Sequence, residues 1–128
     1  MKRSVILFFT LIIFFSCKKE KSESIIGSWI EEANYSMDQS GQFTWQPAAR
    51  FPLHITFTGN GQYYAFNDVP AGGGTYNYNP STKDLRLMPS GSANSSLHKI
   101  SLLAEEYIII DYMYNSELMM RVKYKRAQ

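Results

Sequence analysis

Cysteine is almost absent from this chain, and the one cysteine lies near the N terminus at position 17. A framework of disulfide bonds, which holds many small extracytoplasmic domains together, is therefore excluded. Histidine is nearly as scarce, with two residues, and no group of His, Asp or Glu has the spacing of a zinc or calcium site. We expect no metal, no cofactor and a fold held by core packing alone.

Sequence patterns of catalysis are also missing. No serine lies in a Gly-x-Ser-x-Gly elbow. The glycine run 72–74 neither follows a nucleotide-binding fingerprint nor opens a helix, so we predict a flexible loop there. His54 and His98 are predicted to be solvated surface histidines. The sequence therefore predicts a protein that is not an enzyme.

The charge balance argues against nucleic acid as a partner. The whole chain carries a net charge of +2, and Lys2 and Arg3 belong to the N-terminal segment that we expect to be removed. The remaining 112 residues carry eleven basic and eleven acidic side chains. A nucleic-acid-binding domain needs a basic stripe, which such a balance does not supply.

Long apolar runs are missing except for one, from Val5 to Phe15. It has about half of the roughly 20 residues that a membrane-spanning helix needs. Basic residues precede it, and the small residue Ser16 ends it just before Cys17. This arrangement is typical of a cleaved secretory signal.

The segment Phe14-Phe15-Ser16-Cys17, followed by a polar stretch, resembles the lipobox of bacterial lipoproteins. The resemblance implies that Cys17 carries acyl chains, which anchor the protein in a membrane of a Gram-negative cell envelope, expected to be the outer membrane. An ordinary secreted protein and an uncleaved apolar anchor are the alternatives, and the side of the membrane stays open. We predict a signal peptide at 1–16, a lipidated cysteine with a flexible tether at 17–24, and a domain at 25–128. The seven residues from Lys18 to Ser24 reach at most about 25 Å.

The sequence of the domain itself predicts strands. It is rich in tyrosine and tryptophan, with nine and two residues, and such residues favour strands. Leu53 to Thr58 alternates apolar and polar residues, and a Gly-Asn-Gly turn follows it. Near the start, Trp29, Ala33 and Tyr35 are predicted to share one face, and Phe43 to Trp45 is a candidate short strand. In all we predict eight short strands joined by hairpin-length links and no helix.

Closing such a meander into a barrel removes its two open edges. The last strand suits closure, because alternate residues give one apolar face and one basic face. The apolar face consists of Leu118, Met120, Val122 and Tyr124, and the basic face includes Arg121, Lys123 and Lys125. The predicted fold class is all-β, an eight-stranded antiparallel up-and-down barrel, with an eight-stranded sandwich as the alternative.

The Gly27-Ser28-Trp29 triplet at the start of the first strand, eight strands in hairpin order and a basic residue ending the last strand resemble the lipocalin-like domains of small bacterial lipoproteins. That resemblance implies a tryptophan lying across the closed end of the barrel with a basic side chain stacked on it. It therefore implies that Gly27, Trp29 and Arg126 close the barrel. It also implies a small hydrophobic or amphipathic ligand.

Five residues are candidates for ligand binding: Glu31, Tyr64, Phe66, Tyr76 and Tyr78. Glu31 is the one carboxylate that alternation places inside, where it could orient a polar head group. A bulge after Trp29 would instead turn it to solvent. The face of Asp111 stays unassigned, because both faces of its strand are apolar. The aromatic residues are equally consistent with a filled core.

Two functions follow from these patterns. The first is a lipid-anchored envelope protein whose barrel binds a small hydrophobic or amphipathic ligand at an open end, formed by the segments 37–51, 68–74 and 89–96. The second is a solid barrel that serves as a protein–protein interaction or structural module at the envelope. The expected partners are thus a membrane, reached through Cys17, and either such a ligand or an envelope protein.

Overall fold

The computed structural model describes residues 24–67 and 70–128, with only the backbone at 70 and 71. Residues 1–23, which include the predicted signal peptide, Cys17 and most of the tether, lie outside the described residues. Every regular element described is a strand: β1 Gly27–Met37, β2 Phe43–Pro47, β3 His54–Phe57, β4 Gln62–Phe66, β5 Pro70–Asn79, β6 Asp84–Pro89, β7 Ser96–Leu103, β8 Tyr107–Tyr114 and β9 Glu117–Arg126. Within this part of the chain, no helix is long and apolar enough to cross a bilayer.

The strands close into a barrel. All neighbours pair antiparallel in the order β1-β3-β4-β5-β6-β7-β8-β9, and β9 pairs back onto β1. The closing register places Trp29 opposite Arg126 and Glu31 opposite Tyr124. The predicted eight-stranded up-and-down barrel is confirmed, and the sandwich alternative is wrong.

A ninth strand, β2, extends the sheet beyond the barrel. The first half of β1 pairs with β3, and its second half, from Ala33 to Met37, pairs with β2. β2 and β3 therefore lie one above the other along the same side of β1. The sequence pointed to a short strand at Phe43 to Trp45, and the structure extends it to Pro47.

A bulge in β1 reverses the faces of its second half. The register against β9 shifts between Glu31 and Ala33. Beyond the shift, Tyr35 lies opposite Arg121 rather than opposite an inward residue. The prediction that Ala33 and Tyr35 share the face of Trp29 is therefore wrong, because one extra residue in a strand exchanges inside and outside.

The glycine run 72–74 is part of β5 and not a loop, which corrects the prediction. A Cβ atom on Gly73 would collide with the carbonyl oxygen of Tyr63, and one on Gly74 with that of Met88. The backbone of β5 therefore lies too close to both neighbouring strands for a side chain at these positions. Glycine here permits tight strand packing rather than flexibility.

The barrel has two different ends. The connections β3–β4, β5–β6 and β7–β8 lie at the end where β1 begins, which we call the closed end. The connections β1–β2, β4–β5, β6–β7 and β8–β9 lie at the other end, which we call the open end. Antiparallel order thus brings the described parts of the segments 37–51, 68–74 and 89–96 toward the open end, together with the turn Asn115-Ser116.

Large side chains pack the space between the strands. The most deeply buried are Trp29, Tyr124, Phe57, Leu85, Ile100, Ile108 and Ile110, each less than 2% exposed. Partly buried residues complete the same cluster: Leu53, Tyr76, Tyr78, Leu103 and Tyr112. The core of this domain is the filled interior of the barrel, as expected for eight strands.

Trp29 closes the barrel at its closed end. Its side chain is fully buried, and its Nε1–H donates to the carbonyl oxygen of Ile25 at 2.9 Å. The guanidinium of Arg126 lies 4.1 Å above the indole ring and donates to backbone carbonyl oxygens of Ser24 and Ile26. A Cβ on Gly27, whose φ is +135°, would lie 2.5 Å from that guanidinium. Gly27, Trp29 and Arg126 therefore lie together at the closed end of the barrel and close it.

Replacing Arg126 by alanine removes the cation–π contact and several hydrogen bonds. We expect Arg126→Ala to lower the free energy of unfolding by about 1 to 3 kcal/mol, measured by urea denaturation. The matched control is Lys125→Ala, one residue away and exposed, which should change it by less than about 0.5 kcal/mol. Equal effects of the two variants would contradict the role of Arg126.

Candidate functional site

The five predicted ligand-binding residues do not converge in one pocket. Along β4, Tyr63 and Ala65 take the inward positions, so Tyr64 and Phe66 lie on the outer face and are 51% and 44% exposed. Tyr64 and Phe66 therefore do not line the interior, which corrects that expectation. The reason is simple alternation along a strand.

The other two aromatic candidates are core residues. The hydroxyl of Tyr76 donates to the carbonyl oxygen of Thr58 at 2.7 Å, and its ring meets Phe57 edge-on at 4.9 Å. Tyr78 packs against the buried cluster. Burial raises the pKa of Tyr76. Both rings support the barrel wall instead of bordering open space.

Glu31 lies on the inward-facing register, opposite the buried Tyr124. The bulge follows Glu31 instead of Trp29, so it does not turn this carboxylate to the outer face. One carboxylate oxygen accepts a hydrogen bond from the backbone N–H of Leu53 at 3.1 Å, and the other from Nδ2 of Asn34 at 3.2 Å. The carboxylate therefore links β1 by a hydrogen bond to the segment that enters β3.

Two tyrosines form a polar pair inside the barrel. The hydroxyl groups of Tyr112 and Tyr124 are 2.7 Å apart. Burial raises the pKa of Tyr112 to about 12, and the negative charge of Glu31 acts in the same direction. Burial also raises the pKa of Tyr124 well above its ordinary value. Glu31 and this tyrosine pair are among the polar groups that an interior ligand would meet.

His98 adjoins the tyrosine pair and is buried, so the prediction of a solvated surface histidine is wrong. It lies opposite Leu85 on the inward register and is 7% exposed. Its Nδ1 accepts from the backbone N–H of Met113 at 3.2 Å, and its ring packs on Tyr112 at 4.9 Å. Burial lowers the pKa of His98. His54, in contrast, lies outside and stacks on Phe66 at 4.7 Å.

The interior tyrosine pair predicts a loss of stability at alkaline pH. A folded-state pKa above the ordinary 10.0 means that the pair's contribution is fully present below pH 10.0. It is lost as the pH rises toward about 12, the folded pKa of Tyr112, because the unfolded chain ionises first. We expect the double variant Tyr112→Phe/Tyr124→Phe to flatten this decline, measured by urea unfolding across that range. The exposed Tyr114→Phe is the control, and an unchanged slope in the double variant would refute the assignment.

The outer face carries an apolar cluster at the open end. It lies on the hairpin of β1 and β2 and consists of Tyr35, Met37, Phe43 and Trp45; we call it the hairpin patch. Tyr35 lies 5.6 Å from Phe43 and 5.5 Å from Trp45, ring centre to ring centre. Met37, Phe43 and Trp45 are 58%, 38% and 48% exposed. Contiguous exposed clusters of apolar side chains are candidate interaction surfaces.

The sequence did not reveal the hairpin patch. Its two halves are separated by a polar turn, Asp38 to Gln42, and the alternation in β1 is interrupted by the bulge. The one usable signal was the alternation of Phe43 and Trp45 around Thr44, which predicts that both rings lie on the same face.

Below the hairpin patch the outer face is charged and internally paired. Arg121 and Asp111 form a two-bonded ion pair, at 2.6 and 2.9 Å, which places Asp111 outside. Lys123 pairs with Glu32 at 3.0 Å and lies 4.3 Å above the ring of Tyr107. These charges pair with one another, whereas the hairpin patch above them is apolar and exposed.

A second outer feature is a groove of about 560 Å³ beside β4 and β5. Tyr64, Phe66, the glycine run and Ser90 line it. Here Tyr64 lies opposite Gly73 and covers the bare backbone, which is a structural reason for its exposure. In the ranges 24–67 and 70–128, no three His, Cys, Asp or Glu residues could jointly hold a metal ion.

Known proteins do not identify the family. No protein-family model matches this chain, and no curated protein matches it at a significant level. The resemblances to a lipobox and to lipocalin-like domains therefore stay predictions. Function is argued below from the geometry of the barrel.

Proposed function

We propose that this chain is a lipid-anchored protein of a Gram-negative envelope, without enzymatic activity. Its barrel is a solid scaffold, and it acts by docking another envelope protein on its outer face. The second of the two functions drawn from the sequence is thus preferred to the ligand carrier.

The filled interior is the observation that carries this proposal. A carrier needs inward positions with small side chains that leave space. Over much of this barrel the inward positions hold large residues, among them Trp29, Phe57 and Tyr124, each less than 2% exposed, and the small inward residues Ala65 and Gly72 lie toward the open end. Large apolar side chains that could bind something lie outside, and several of them gather in the hairpin patch.

The position of the N terminus agrees with docking at the open end. Ser24 is held at the closed end by Arg126. If Cys17 is lipidated, the tether leaves from there and spans at most about 25 Å. β1 runs from the closed end to Met37 over about 33 Å. The hairpin patch then projects away from the anchoring membrane, toward neighbouring proteins.

A small-molecule carrier is the second candidate, and Glu31 with the tyrosine pair supports it. These groups could orient a polar head group. They are, however, already bonded to one another and to the chain: the carboxylate accepts from Leu53 and Asn34, and the two hydroxyls share a hydrogen bond. A ligand would have to replace these bonds, which is why this candidate ranks second.

Native gels of the envelope, solubilised in mild detergent, test the proposal. We expect the wild-type chain to migrate in a complex larger than its own mass. The double substitution Phe43→Ser/Trp45→Ser should release it as a monomer, because truncating central aromatic residues costs an interface about 2 kcal/mol or more each.

Two controls accompany this test. Tyr114→Ser alters an exposed ring at the same end of the barrel, 65% exposed, and Glu31→Gln alters the interior. Both variants should stay in the complex. A wild-type chain that runs as a monomer, or a complex lost in Glu31→Gln but kept in the double variant, would contradict outer-face docking.

A further inference from the structure

The hydrogen bonds of the β1–β2 hairpin show which backbone groups of β2 are used. The N–H of Asp38 donates to the carbonyl oxygen of Gln42 at 2.7 Å, and the N–H of Ala48 donates to that of Glu32 at 3.1 Å. In an antiparallel ladder, every second opposite pair exchanges both of its hydrogen bonds. The bonded pairs therefore include Thr44 with its partner Ser36, and Gln46 with its partner Asn34.

The intervening residues of β2 direct their backbone groups the other way. Phe43 and Trp45 thus present two N–H donors and two carbonyl acceptors along the free edge of β2. Among the described residues, no strand other than β1 pairs with β2. Pro47 lacks an N–H and ends this usable edge.

This edge strand is short and ends at a proline, but it lacks the charged side chains that natural sheets place on exposed strands. Lysine or another charge on the strand commonly prevents pairing with a foreign chain. β2 reads Phe-Thr-Trp-Gln-Pro and carries no charge. Its two rings are 38% and 48% exposed on the outer face. The three residues from Phe43 to Trp45 thus expose both free-edge backbone groups and apolar side chains.

We propose that the free edge of β2 is a strand-addition site, which binds an extended segment of another envelope protein. This inference rests on the proposed function and specifies its surface. The partner segment adds one strand beside β2, exchanges four backbone hydrogen bonds with Phe43 and Trp45, and places apolar side chains against the hairpin patch. Main-chain bonds give such complexes affinity, and alternate side chains give them selectivity.

Only another polypeptide offers the alternating donors and acceptors that this edge matches. A lipid surface would cover the rings but leave the two N–H groups without acceptors of regular spacing. The anchor argument also opposes a membrane here, since the tether leaves at the closed end while β2 lies at the open end.

A second copy of the chain could supply a strand, but the anchor disfavours it. A two-fold axis at Thr44 would pair Phe43 of each copy with Trp45 of the other and satisfy the same four groups. Antiparallel pairing turns the two barrels end over end, so their Ser24 residues would point in opposite directions. If each barrel stands upright on its tether, with the closed end toward the bilayer, the closed end of only one of the two copies could then face the membrane.

Photo-crosslinking in the native host tests the inference with the full-length, processed chain. Benzoylphenylalanine replaces Phe43 at the edge. In separate strains it replaces Tyr64, which lies on the outer face, or Tyr114, which lies at the open end. We expect the Phe43 position to crosslink to a segment of another protein with apolar residues at alternate positions. A synthetic peptide copied from that segment should bind the purified barrel and protect the amide hydrogens of Phe43 and Trp45 from exchange.

Two variants distinguish the contribution of the Trp45 backbone N–H to binding from that of its indole ring. Trp45→Thr keeps the edge N–H and loses the indole, whereas Trp45→Pro loses both. We expect peptide binding to weaken about tenfold in Trp45→Thr and by about a further tenfold in Trp45→Pro. Because the N–H of Trp45 is not used by β1, the proline variant should retain the fold, which circular dichroism verifies.

The crosslinking outcomes separate this inference from the proposed function. Crosslinks from the Tyr64 or Tyr114 positions alone would overturn the strand-addition site and leave outer-face docking intact. Crosslinks from Phe43 to lipid, or to a second copy of the chain, would overturn the choice of partner. No protein crosslink from any position would overturn both proposals. Equal peptide affinity of the two Trp45 variants would refute the backbone contacts.

Discussion

The pairing of β9 with β1 is the constraint on which the rest of this structure depends. It converts a meander into a barrel, and it brings the end of the chain to its beginning. Arg126 then reaches Trp29 and the carbonyl oxygens of Ser24 and Ile26. With no disulfide available, this closure holds the two ends of the domain together by packing, a cation–π contact and hydrogen bonds. It also places Ser24, the first residue that the structure describes, at the closed end.

Closure divides the residues into an inside and an outside with different tasks. Eight strands leave an interior that side chains can fill, and here large residues fill much of it. The polar groups inside, among them Glu31, His98 and the tyrosine pair, bond to the protein itself. A cluster of exposed apolar side chains lies on the outer face, where β1 extends beyond β3 and forms the hairpin patch with β2. This domain has no disulfide and depends on its core for stability. An interior used for packing therefore stabilises it.

Much of the barrel could be predicted from the sequence, because alternation and turn residues are local. The strand from Leu53 to Thr58 and the last strand from Met120 onward, with its apolar and basic faces, illustrate this. A register shift before Met120 takes Leu118 off the predicted apolar face. The features that were missed depend on contacts between distant residues. The bulge after Glu31 is set by the register against β9, and the glycine run is extended because Tyr63 and Met88 approach it closely.

The candidate sites were harder to predict than the fold for the same reason. A reversal of face within β1 moved Tyr35 outward, where it joins Phe43 and Trp45. His98 carries a polar side chain at an inward position, so its residue type gave no sign that it is buried. Tyr64 and Phe66 were assigned to a pocket by residue type alone, whereas their parity along β4 places them outside. For Arg126 parity predicted the location near Trp29 correctly, whereas for Ala33 and Tyr35 the bulge made the same rule fail.

Native mass spectrometry of the mature chain, gently extracted from its own envelope, tests the central claim of a solid barrel most directly. The account predicts a mass equal to the polypeptide from Cys17 plus its acyl chains, with no additional small molecule. A reproducible extra mass that disappears in Glu31→Gln or Tyr112→Phe, but persists in Trp45→Thr, would contradict the account. It would show that the interior, and not the outer face, is the binding site.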